Sequence, residues 1–156
     1  MRVHDFDAIV ERLLQEPYWV IDFLPMRVPE GARGQFLAIE EHYTAAAGHE
    51  RLRRQLADVV LKLNCYHDLT VNNGGDDWVI NPAPAVLEAW TIKALSRGHM
   101  CALIDGGEAL VTASGGDSHI TLYNPSPALL HLAGALATAA GLHLWQPQEH
   151  INKPIL

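Results

Sequence analysis

The sequence predicts an α+β domain: a mostly antiparallel sheet built from hairpins, with helices packed on one face. Two observations carry this. Short apolar runs are joined by "NNGGDD", "DGGE" and "SGGDS", and glycines between apolar runs specify tight hairpins because glycine tolerates positive φ. Stretches with apolar residues at helical spacing follow these runs. Hairpin-joined strands with helices after them favour an antiparallel sheet covered by helices over alternating parallel units.

Taken in order, Asp5 to Gln15 reads as a helix, with Phe6, Ile9, Val10, Leu13 and Leu14 at helical spacing and Pro17 closing it. "YWVIDFL" alternates as a strand does and stops at Pro25. "PMRVPEGARG" is loop, and "QFLAIEEHY" reads as the return strand. "AGHERLRRQLADVVLKL" is helical, with Leu52, Leu56, Val59 and Leu63 on one face. The strand, strand, helix order then recurs as "CYHDLTV", "WVI" and a helix from Pro84 to Leu95. "MCALI", "EALVTA" and "HITLY" are three further strands, followed by a helix from Pro127 to about Ala140 and a last strand, "LHLW". Strand order is not encoded in these local patterns.

One frame, Asn-Pro-x-Pro-Ala-x-Leu, is written twice, in "VINPAPAVLEAW" from Val79 and "LYNPSPALLHLA" from Leu122. The copies share no nucleophile, acid pair or phosphate loop. Each stands where a strand stops and a helix starts, since proline lacks the ladder donor and suits a first helical turn. Ser126 is expected to cap the second helix, and Asn81 the first with Pro82 as its first residue.

At 156 residues, 49% hydrophobic and 19% charged, residues 1–156 are expected to form a single globular domain, burying about two-thirds of the unfolded surface. The net charge is −7, and the excess of acid lies C-terminally: residues 65–156 hold three Lys/Arg against eight Asp/Glu. That balance argues against nucleic-acid binding and for a protein partner of basic character. The first fourteen residues mix acids and bases and have no apolar signal core, so a cytoplasmic setting is expected, with reduced cysteines. Residues 118–148 contain no Asp, Glu, Lys or Arg, but the run is rich in Ala and Gly, holds His131 and His143 and lacks basic flanks, so no membrane span is expected.

No GxGxxG, GxxxxGK[ST], HExxH, GxSxG or CxxC occurs, which argues against a known catalytic class. No cofactor is expected. Cys65 stands two residues before His67, and Cys101 two after His99. Were both pairs on neighbouring strands, Cys65, His67, His99 and Cys101 would converge as a zinc-type ligand set or a Cys-His catalytic pair. This is the alternative reading, a metal-dependent or Cys/His-based enzyme or ligand-binding domain. The packing reading makes both thiols small hydrophobes.

The main reading is a non-enzymatic protein-binding module (adaptor, inhibitor or immunity-type) that presents an acidic surface through Asp76, Asp77 and Asp117, with Trp78 as an aromatic anchor. A homodimer is also expected. The helix from Pro127 carries no charge, and Leu129, Leu130, Leu132 and Leu136 spread too widely for one apolar stripe. The rival covers for its far side are the first helix and the tail "HINKPIL".

Overall fold

The computed structural model describes residues 3–44 and 50–147. Its elements are α1 (Val3–Leu13), β1 (Tyr18–Asp22), α2 (Phe36–Thr44), α3 (Glu50–Leu63), β2 (Leu69–Asn72), β3 (Val79–Ile80), α4 (Pro84–Arg97), β4 (His99–Ile104), β5 (Ala109–Ser114), β6 (His119–Tyr123), α5 (Pro127–Ala139) and β7 (His143–Trp145). The fold is α+β. Its seven strands form one sheet in the order β3-β2-β4-β5-β6-β1-β7, and every neighbouring pair is antiparallel.

Alternation along the strands sorts their side chains onto two faces. On one, Leu69, Met100, Ile104, Val111 and Ile120 meet the stripes of α3, α4 and α5. In α3 the buried stripe is Leu52, Leu56, Val59, Val60 and Leu63, the recurrence of an amphipathic helix. The opposite face carries a second core of Leu103, Leu110 and Cys101, closed by Leu13, Phe6, Ile9 and Val10 of α1. Helices therefore do not all lie on one face: three pack as expected, and α1 crosses to the other. Gly107 makes room for it, because a Cβ there would stand 2.8 Å from Ile9 Cγ2.

Three local expectations need correction. Residues 36–44 form helix α2 and not a return strand. Both edges of β1 are already occupied, by β6 and β7, and "LAIEE" fits a helix as well as a strand. The strand expected from Cys65 begins only at Leu69, and residues 64–67 are the turn that ends α3. Asn81 does not cap α4; Ala83 occupies that position and makes no side-chain cap.

The duplicated frame does recur as architecture. Asn81 and Asn124 each end a strand in the left-handed region, at φ 49 and 56, a conformation asparagine tolerates better than most residues. Ser126 caps α5 as expected, its Oγ accepting from Leu129 N at 3.1 Å.

On α5 the buried residues are Leu129, Ala133 and Ala137, a single stripe of small and branched side chains, with Leu132 and Leu136 partly buried beside it. His131, Ala135 and Thr138 face out. Because α1 lies on the opposite face of the sheet, it does not cover them. The tail "HINKPIL" lies outside the described residues. Among the described residues, no helix is long and apolar enough to cross a membrane.

Candidate functional site

The four Cys and His residues do not converge. Leu69 pairs with Ile104 and Asn72 with Cys101, so His67, which precedes β2, and His99, which opens β4, stand at opposite ends of the sheet. Cys65 is exposed in the turn after α3, so its expected packing role is corrected to that of a surface thiol. Cys101 does pack, in the second core at 8% exposure.

Each half of the quartet has its own local partners. His67 Nδ1 lies 2.6 Å from Asp105 Oδ2. Asp105 is a left-handed turn residue, φ 50, whose Oδ1 also accepts from Asp68 N at 3.1 Å. Cys101 Sγ lies 3.3 Å from His99 Nε2, and His99 Nδ1 lies 3.0 Å from Ser114 Oγ. That chain has the outline of a nucleophile, its base and an orienting group. However, burial, helped by Asp7, pushes the Cys101 thiol up to about 11. At neutral pH it is a thiol and not the thiolate that such chemistry requires.

The two acidic turns of the expected binding surface do come to one end of the sheet. β2 and β5 both run antiparallel to β4, so the loop holding Asp76 and Asp77 and the loop holding Asp117 leave from the same end. All three side chains are exposed. Trp78 turns inward instead. Its ring lies 5.2 Å from that of Phe6 of α1, and it joins the second core. The "DGGE" turn sits at the opposite end, with Asp105.

This acidic end also contains what the sequence reading missed. Asp22 ends β1 and pairs across the sheet with His119 on one side and His143 on the other. Next to it, Ser118 is buried, and its Oγ donates to Glu40 Oε2 of α2 at 3.4 Å. Asp22, Glu40 and His119 line a cleft of about 540 Å³ whose apolar walls include Tyr18, Phe36 and Trp145. Burial raises the pKa of Asp22, and the charge of Glu40 adds to the rise; the Phe23 amide, which Oδ1 accepts at 2.7 Å, and the nearby His119 work against it. The indole Nε1 of Trp145 is buried without a hydrogen-bond acceptor among the described residues.

One sequence signal pointed here: in "YWVIDFL" the aspartate is the only charged residue in an apolar strand. Its partners, Glu40 and His119, come from segments remote in sequence, and only the fold joins them. A carboxyl pair in a partly desolvated, aromatic-walled cleft is equipped to hold a cation or a proton. Comparison of the chain with protein-family models, with curated proteins and with solved structures finds no match in any of the three.

Proposed function

We propose that the chain is a non-enzymatic protein-binding module that offers the acidic end of its sheet, together with the groove beside α2, to a basic partner. The observation that carries this is α2 itself. It buries no residue, yet leaves Leu37 76% and Ile39 39% exposed. Leu24, Val28, Pro29 and Ala32 complete an apolar groove of about 880 Å³ along it. Leu37 stands mostly in water beside the partly buried Leu24 and Val28, and contiguous apolar surface of this kind is what partners cover. Asp76, Asp77 and Asp117 add a long-range attraction that speeds encounter with a basic surface. The setting that fits this reading is the cytoplasm, where Cys65 and Cys101 stay as thiols.

Selection from a displayed peptide library tests the reading. Peptides with apolar anchors flanked by Lys or Arg should be enriched, and Leu37→Glu should weaken them at least about tenfold, the scale of losing one buried anchor. Changing Asp76, Asp77 and Asp117 to Asn should slow association and flatten its salt dependence. Enrichment of acidic peptides, or binding indifferent to Leu37→Glu, would sink the proposal.

Self-association belongs to the same reading. The outer side of α5 and the edge strand β7 frame a second hollow through Leu130, Gly134, Ala135 and Leu144, with no Asp, Glu, Lys or Arg in its lining. Sedimentation at micromolar concentration should show a dimer that Ala135→Glu weakens. Ala135 is the residue to change because its neighbour Ala133 is buried against the core. A monomer throughout the concentration range would defeat the dimer.

A further inference from the structure

The cleft between β1, β6 and α2 adjoins the α2 groove and shares Leu24, Val28 and Phe36 with it, but Leu37 and Ile39 line only the groove and Asp22 and His119 only the cleft. We propose that this cleft binds a small organic cation, an ammonium or guanidinium on a short apolar stem, with Asp22 and Glu40 as its counter-charges.

Size, charge and wall chemistry agree. At about 540 Å³, the cleft is within the span of about 300–1,000 Å³ typical of small-molecule sites and much larger than a bare ion requires. The lining holds two carboxyl groups, Asp22 and Glu40, beside one guanidinium, Arg27, and the imidazole of His119, so its carboxyl groups outnumber its permanent cation. Tyr18, Phe36 and Trp145 supply aromatic surface, whose faces attract ammonium and guanidinium groups. Ser118 steadies Glu40 through its hydroxyl. Among the described residues, no group of three or more His, Cys, Asp or Glu is arranged to hold a metal ion. Burial makes an ionised Asp22 costly while the cleft is empty, and an incoming positive charge offsets that cost.

The test is calorimetric titration of the full chain at pH 7 and low salt with agmatine, which carries both cationic groups on a butyl stem, and with glutarate as the matched dianion. Agmatine should bind at a single saturable site, with a dissociation constant below about a millimolar, and Asp22→Asn and Glu40→Gln should each weaken it at least about tenfold. Asp22→Asn should also report on its own folding. A carboxyl whose folded pKa is raised costs stability once the pH exceeds its unfolded value, so the variant should melt above the wild type at pH 7, and the gap should close in acid, where both side chains are neutral. Weaker agmatine binding by a variant that melts higher is loss of the ligand's contact and not of the fold. No saturable uptake of agmatine, preferential uptake of glutarate through Arg27 and His119, or binding unchanged in both variants would overturn the proposal. Leu37→Glu separates the two sites: it should weaken peptide binding at least about tenfold and spare agmatine. In the unmutated chain, peptide binding without agmatine binding defeats this inference alone, and agmatine binding without peptide binding defeats only the groove.

Discussion

Leu13→Ala is expected to cost about 3 kcal/mol of unfolding free energy, in the middle of the range for a fully buried leucine. Leu13 is the last residue of α1, is 0% exposed, and fills the second core against Leu103 and Leu110. An isolated helix of this length is marginal in water, so α1 forms because its stripe of Phe6, Ile9, Val10 and Leu13 is buried on the sheet. Removing the most enclosed side chain therefore loses transfer free energy, leaves a cavity and loosens the whole helix. Urea unfolding measures the cost. Leu14→Ala, next door but 42% exposed, should cost less than about 0.5 kcal/mol. Equal, small effects at both positions would show that α1 does not seal this face.

The second large effect is expected at Asn81, whose side chain bonds three residues between the end of α3 and the start of β2. Its Oδ1 accepts from Leu69 N at 2.9 Å and from Asn64 Nδ2 at 2.8 Å, while its Nδ2 donates to Asp68 Oδ1 at 2.9 Å. Its own backbone N–H donates to Leu69 O at 2.7 Å. Leu69 is buried, so its amide loses its acceptor when the side chain is cut back, a loss of about 1–3 kcal/mol. A Cβ-bearing residue without a polar side chain also pays about 1–2 kcal/mol for the left-handed backbone. Asn81→Ala should therefore cost about 2–4 kcal/mol. Asn81→Gly should recover the backbone part, about 1 kcal/mol, and leave the rest. Asn124 shares the conformation, but its side chain makes a single bond, Nδ2 to Glu108 O at 3.1 Å, so Asn124→Ala should cost visibly less. Equal costs for the two asparagines in thermal unfolding would show that the side-chain bridges of Asn81 carry nothing.

These two residues also mark how far the sequence could be read. The helical stripe of α1 was legible from Phe6 to Leu13, but nothing in it says which face of the sheet it covers, because a stripe records only that one side is dry. Asn81 was legible as punctuation between a strand and a helix, since the Asn-Pro pair has local meaning. Its bonds to Asn64, Asp68 and Leu69 were not, because they depend on β3 folding back beside β2. At α2 the local pattern itself misled: "FLAIEEHY" places apolar residues compatibly with either period, and the choice was made by β6 and β7 occupying the edges of β1.

The candidate sites divide in the same way. Spacing correctly put His99 and Cys101 on one face of a strand, where they lie 3.3 Å apart, because alternation is a property of the strand alone. It could not bring Cys65 and His67 to them, since antiparallel pairing of β2 with β4 carries the two pairs to opposite ends. Composition and local pattern determined the α+β class, the hairpin turns, the cap at Ser126 and most element boundaries, all of which depend on interactions within a few residues. Tertiary structure alone decided the strand order, the side taken by α1, and the meeting of Asp22 with Glu40 and His119. Those outcomes depend on which distant surfaces bury each other best, a competition among all elements at once that no local stretch records.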